Sequence, residues 1–283
     1  MNFQKWQALG NDYIIIERSD LPFELTPERV ARICHYHFGP GADGILLVEP
    51  TDDPELVANV RIFNPDGSEA ELSGNGVREA IMYLRRSGQT DADEFAVGTA
   101  AGVIRPKIVS DTECEVNMGQ ASLTSKDFPD GPEDGRGTVT VNGIDIEFQH
   151  VSIGNPQCSI EIPGEIKNLL ALDLHSIGPG LEHDARFPNR TNVSFWQQTG
   201  ENSIVARIFE RGVGETLSSG TGATGAAVAA KLRGVQSPVT VGLDGGELIV
   251  DIDDDLNITL TGWAVPVFDG TMTDQFLNEL EQI

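Results

Sequence analysis

The sequence predicts an α+β fold: two sheets, each wrapped about a helix. Three observations carry the prediction. Short strand-like runs punctuated by Gly, Pro and Asn recur along the whole 283-residue chain. Each half holds one helical segment of core character, with Val77, Ala80, Ile81 and Leu84 in the first and an alanine-rich run from about Ala223 in the second. The passages leading into these helices echo one another: Phe63–Leu84 reads FNPDGSEAELSGNGVREAIMYL and Phe209–Leu232 reads FERGVGETLSSGTGATGAAVAAKL. Ser73-Gly74-Asn75-Gly76 aligns with Ser219-Gly220-Thr221-Gly222, 146 residues further on. Two readings of the echo stand: a chain of two similar halves, or chance recurrence of a common strand-to-helix turn.

Taken in order, Phe3–Ile16 reads as two short strands about a Gly10-Asn11-Asp12 turn. Thr26–His35 reads as a helix with Thr26 as cap and Glu28 in its first turn. The tight loop Gly39–Gly44 precedes a strand, Ile45–Val48. After the first Ser-Gly-x-Gly helix, strands are expected near Glu94–Val97, Gly102–Ile108 and Glu113–Met118. The polar stretch Asp127–Gly137, which carries Pro and Gly, reads as a linker or a surface loop. Val139–Val141 and Ile144–His150 suit a hairpin about Asn142-Gly143. Val151–Cys158 reads as strand, turn and strand, Asn168–Ser176 as a short helix, and Asn189–Trp196 as a polar turn entering a strand. Late strands at Val239–Val241, Glu247–Ile252 and Asn257–Leu260 precede a closing helix, Thr273–Ile283.

Composition excludes several classes. The net charge of −25 argues against nucleic acid and anionic membrane surfaces as partners. No apolar run approaches the ~20 residues of a membrane span, and the start, Met1-Asn2-Phe3-Gln4-Lys5-Trp6, lacks the features of a signal peptide. A cytoplasmic protein is expected. Cys34, Cys114 and Cys158 are widely spaced and odd in number, which suits neither a disulfide framework nor a zinc site, so buried thiols are expected.

Among the motifs, Gly220-x-Gly222-x-x-Gly225 matches a dinucleotide pattern only formally, since ten residues separate it from Phe209 and no βαβ unit surrounds it. His35-Tyr36-His37 lacks the further ligands a metal site needs, and no metal is expected. Neither Ser73 nor Ser219 lies in a nucleophile elbow. Both instead sit at helix starts, where uncovered backbone N–H groups and the helix dipole favour an anion. Asn11, Asn64, Asn75, Asn155, Asn192, Glu210 and Arg211 fall in turns. A turn asparagine is ordinarily a backbone cap; several converging on one ligand would form a site.

The segments Ala8–Tyr13 (ALGNDY), Gly41–Gly44 (GADG), Phe63–Arg78, Ile153–Gln157 (IGNPQ), Arg190–Phe195 (RTNVSF) and Phe209–Ala223 resemble the diaminopimelate epimerase family in order and spacing across essentially the whole chain. The resemblance implies a fold similar to proline racemase: α+β, two pseudo-symmetric domains, 1–117 plus 265–283 and 118–264, each a mostly antiparallel sheet wrapped around a central helix, with a site in the cleft between them. It implies a homodimer that uses neither PLP nor another cofactor and serves lysine and peptidoglycan-precursor biosynthesis. The expected partner is a small amino acid, diaminopimelate or similar, with its α-carboxylate on the backbone N–H groups of Gly74, Asn75, Gly220 and Thr221. Asn11, Asn64, Asn155, Asn192 and Arg211 would hold its distal end.

In that family two cysteines face each other across the α-carbon, one removing a proton and the other returning one. They fall here at Ser73 and Ser219. The family's histidine after Ile-Gly-Asn-Pro, which helps to activate a cysteine, is Gln157, while the matching activator Glu210 remains. A thiol near pKa 8.5 can be ionised by a helix N-terminus; an alkyl hydroxyl is far less acidic, so a serine pair should be a poor two-base catalyst. Three explanations follow: an epimerase-type isomerase, by targeted change or descent; a relative with other chemistry, such as a hydroxy amino acid dehydratase; or a silent amino-acid-binding protein. The first is the favoured reading.

Overall fold

A computed structural model describes every residue except Leu72 and Asn142. It is a mixed α+β structure that divides into two compact units, Met1–Val116 with Gly262–Ile283, and Asn117–Thr261.

The sheet of the first unit runs from edge to edge through Val265–Thr271, Asn2–Ala8, Asn11–Glu17, Ile45–Glu49, Ala58–Phe63, Val97–Thr99 and Gly102–Ile104, with Glu69–Ala70 paired to Ala58–Phe63. Most neighbours are antiparallel; Asn11–Glu17 with Ile45–Glu49 and Ala58–Phe63 with Val97–Thr99 are parallel. The central strands are buried on both faces, which explains the unbroken apolar runs Tyr13–Ile16 and Ile45–Val48. Ile14, Ile16, Ile45 and Leu47 pack with Val30 and Ile33 of the helix Pro27–Cys34. On the other face lies the helix Gly74–Arg86, whose Val77, Ala80, Ile81 and Leu84 are all buried. Burying Val77, Ile81 and Leu84 contributes about 1.5–3 kcal/mol each.

The second unit repeats this plan. Its sheet runs through Arg136–Val141, Ile144–Ser152, Pro156–Glu161, Asn192–Gln198, Ser203–Glu210, Val239–Leu243, Gly246–Ile252 and Asn257–Trp263, with Gly214–Thr216 paired to Ser203–Glu210. The central helix, Gly220–Lys231, is buried from Ala223 to Ala230. Its small residues let the sheet close tightly on it. A Cβ on Gly222 would lie 2.8 Å from Ile208 Cγ2, and one on Gly225 would lie 2.8 Å from Gln157 Cβ. Phe128, Phe148, Phe187, Phe195 and Phe209 form a second core cluster in this unit.

Several expectations are corrected in detail. The Gly220 helix starts three residues before Ala223, because Ser219 caps it and accepts from Gly222 N–H at 3.2 Å. The single helix expected at Asn168–Ser176 is two, Ile166–Leu170 and Leu174–Glu182; Asp173 caps the second by accepting from Ser176 N–H. Asp127–Gly137 is not a linker between units. It lies wholly within the second unit, with Asp127 and Phe128 buried and a strand starting at Arg136. Asn142, placed at a hairpin turn by the sequence, lies outside the described residues. The first hairpin turns on Leu9 and Gly10, both in the left-handed region at φ 53° and 82°, so Asn11 already belongs to the second strand.

Candidate active site

The two central helices begin alike. Ser73 caps the first with extended backbone (φ −133°, ψ 120°), and its Oγ accepts from Gly76 N–H at 3.1 Å. Ser219 caps the second with φ −147°, ψ 122°, and its Oγ accepts from Gly222 N–H at 3.2 Å. The sequence echo is therefore a structural repeat. The backbone N–H groups of Gly74 and Asn75 lie in the first turn of one helix, and those of Gly220 and Thr221 in the first turn of the other.

A second echo surrounds each cap. Gly10-Asn11-Asp12-Tyr13 in the first unit corresponds to Gly154-Asn155-Pro156-Gln157 in the second. Each asparagine reaches the side chain two residues beyond the capping serine. Asn75 Nδ2 donates to Asn11 Oδ1 at 3.2 Å, and Asn155 Nδ2 donates to Thr221 Oγ1 at 3.3 Å. In the first unit the chain of contacts continues outward. Asn11 Nδ2 donates to Asp43 Oδ2 at 2.8 Å, and Asn75 Oδ1 accepts from the fully buried Arg78 at 2.5 Å. Arg78 also donates to Gly74 O at 3.0 Å, pinning the helix start. In the second unit Gln157 Nε2 donates to Asn155 Oδ1 at 2.7 Å, while Gln157 Oε1 is buried without a partner among the described residues.

The remaining candidates divide. Arg211 and Asn192 are joined, since Arg211 N–H donates to Asn192 Oδ1 at 2.9 Å, and the Arg211 guanidinium donates to Asn189 O at 3.0 Å. Glu210 lies beside Ser219: Ser219 Oγ donates to Glu210 Oε2 at 2.9 Å, and Thr216 Oγ1 donates to Glu210 Oε1 at 2.9 Å. Burial pushes the Glu210 carboxyl above its usual range, and the Thr216 and Ser219 hydroxyls partly oppose this. Asn64, which aligns with Glu210 in the repeat, is held within its own turn, donating to Ser68 Oγ at 3.0 Å.

Two participants escaped the sequence reading. Tyr13 O–H donates to Ser73 Oγ at 3.1 Å, and Thr216 is the second donor to Glu210. Tyr13 lies sixty residues before Ser73, so spacing alone could not pair them; only its alignment with Gln157 in the repeat was a signal. Burial pushes the Cys34 and Cys114 thiols up to about 12 and Cys158 up as well, so all three are inert structural thiols. Among the described residues no group of three or more His, Cys, Asp or Glu is placed to hold a metal ion. No helix among them is long and apolar enough to cross a membrane.

Two sheet-wrapped helices with matching capped starts give the fold that solved racemases and epimerases share. The fold is shared with a probable proline racemase from Agrobacterium radiobacter, at a TM-score of 0.67 and 14% identity, covering 96% of this chain and 93% of that one. The chain belongs to the diaminopimelate epimerase family, whose sequence profile matches residues 3–124 and 149–267. It is similar to diaminopimelate epimerase 2 of a Nostoc species, 38% identical over 280 residues that cover 97% of this chain and 96% of the relative. A diaminopimelate epimerase of a Synechococcus species is 39% identical over 283 residues, covering 97% and 99%.

Proposed function

We propose that this protein interconverts the L,L and meso forms of diaminopimelate by moving a proton at the α-carbon. In this reading Ser73 and Ser219 are the two proton-transfer groups, and the serines make the reaction slower than a cysteine pair would. The observation that carries this reading is the repeated cap: two hydroxyls, each on an extended residue and each accepting from the N–H three residues on, at 3.1 and 3.2 Å. Helix starts of this kind suit an anion such as the α-carboxylate. The backbone N–H groups of Gly74, Asn75, Gly220 and Thr221 hold it in this reading. Asn11, Asn64, Asn155, Asn192 and Arg211 bind the distal amino-acid end, with Gln157 orienting Asn155. Glu210 acts through Ser219, supported by their 2.9 Å hydrogen bond.

The enzyme is also assigned to the cytoplasm and to a homodimer. The free edge of the strand Val265–Thr271 supports the dimer, because Val267 and Phe268 on it are 52% and 45% exposed. Incubation with L,L-diaminopimelate in D₂O, followed by NMR, tests the activity. Deuterium at the α-carbon together with meso product supports the proposal. Saturable binding without uptake, persisting after Ser73→Cys and Ser219→Cys are combined, would overturn it.

A further inference from the structure

The two capping hydroxyls have opposite hydrogen-bond polarity. A serine hydroxyl carries one proton and two lone pairs. Ser219 spends its proton on Glu210 Oε2 at 2.9 Å and one lone pair on Gly222 N–H at 3.2 Å. The position left open is an acceptor. Ser73 spends one lone pair on Gly76 N–H and the other on Tyr13 O–H, both at 3.1 Å. Its own proton has no acceptor among the described residues, so the position left open is a donor. The repeat makes the contrast sharper: where the second unit has Glu210, the first has Asn64, which is bonded to Ser68 instead of Ser73. Among the described residues no carboxylate is bonded to Ser73.

We propose that Tyr13 is a positioning residue that fixes Ser73 as the proton donor, while the Glu210–Ser219 pair is the proton acceptor. This rests on the function proposed above. In the step so assigned, the Cα–H bond breaks and its electron pair stays on carbon. The proton passes to Ser219 Oγ as the Ser219 proton passes to Glu210. Ser73 gives its proton to the carbon. The oxyanion left on Ser73 is held by Gly76 N–H and Tyr13 O–H. Water then returns a proton to Ser73 and takes the one on Glu210, so atoms and charge balance over the cycle. The reverse reaction runs the same path from the enzyme form with Glu210 protonated and Ser73 ionised. Tyr13 is buried, which keeps its hydroxyl from being replaced by water.

The test does not depend on turnover. A thiol placed at each cap reports how well the site stabilises an anion, read from the pH dependence of iodoacetamide alkylation. The three native cysteines are buried and supply little background. Ser73→Cys should give the thiol of lower pKa and Ser219→Cys the higher, because the second faces a carboxylate. Adding Tyr13→Phe to Ser73→Cys should raise that thiol by about one to two pH units, the worth of one hydrogen bond to a charged group. Adding Glu210→Gln to Ser219→Cys should lower its thiol. These two arms stand independently, so failure of one variant to fold leaves the other decisive. A reversed order, or thiols unmoved by Tyr13→Phe or by Glu210→Gln, would overturn the inference even if the protein epimerises. The expected thiol order in a protein that exchanges no α-proton would support the inferred polarity, and the proposed activity would be what falls.

Discussion

Replacing Ser219 by alanine should destabilise the second unit in a pH-dependent way, whereas Ser73→Ala should not. Ser219 Oγ makes two bonds. It accepts from Gly222 N–H, and losing that cap costs about 1 kcal/mol at any pH. It also donates to Glu210, and a hydrogen bond to a charged group is worth about 1.5–3 kcal/mol against about 0.5–1.5 for a neutral one. The state of Glu210 therefore sets the total. Burial raises its carboxyl in the folded protein, so the folded form binds the proton more tightly than the unfolded chain does. The stability this brings is fully present below the unfolded carboxyl value of 4.5 and is lost as pH rises through the folded value. Removing the Ser219 donor raises the folded value further and steepens that loss. Glu210 is only partly shielded from solvent, so the lower end of the range applies. The expected cost is about 1 to 2 kcal/mol at pH 4.5 and about 1 kcal/mol more at pH 8. A further kilocalorie corresponds to about 2–4 °C in Tm for a protein of this size class. Thermal melts of the parent, Ser219→Ala and Ser73→Ala at both pH values measure it. Ser73 touches a phenol and an amide instead of a carboxylate, so it is the control. Equal losses for Ser219→Ala at the two pH values, or a larger pH effect in Ser73→Ala, would refute the reasoning.

Other predictions follow from the same contacts. His150 is buried against Phe128 and Phe187 and bonded to Ser125, and burial lowers its pKa from 6.5 to about 4. The unfolded chain then takes up the proton first, so stability should fall as pH drops from 6.5 towards 4, and His150→Gln should flatten that limb of a urea-melt series. Gly225→Ala drives a Cβ to 2.8 Å from Gln157 Cβ, and overpacking of about 1–3 kcal/mol should exceed the gain of about 1 kcal/mol in helix propensity. Its urea midpoint should drop, and substrate affinity with it, because Gln157 orients Asn155. Phe268→Glu on the exposed strand edge should convert the proposed dimer to monomers in sedimentation equilibrium while leaving the far-UV spectrum unchanged; an intact dimer would exclude that edge as the interface.

The sequence by itself determined where the two caps lie. Ser-Gly-x-Gly before an apolar helix is a local pattern, and capping is a local interaction, so Ser73 and Ser219 could be placed at helix starts without coordinates. The apolar runs Tyr13–Ile16 and Ile45–Val48 likewise marked strands, and the structure showed them covered on both faces. Boundaries set by side chains competing for backbone groups were less legible, as at Asp173, whose cap splits one expected helix into two. What only the tertiary structure decided was the hydrogen-bond partner of each hydroxyl. Tyr13 reaches Ser73 across sixty residues, and Glu210 reaches Ser219 through a turn that also brings in Thr216. A hydroxyl is donor or acceptor according to its neighbours, and those neighbours are fixed by how the strands lie against the helix. Two serines in near-identical local sequence thus acquire opposite polarity.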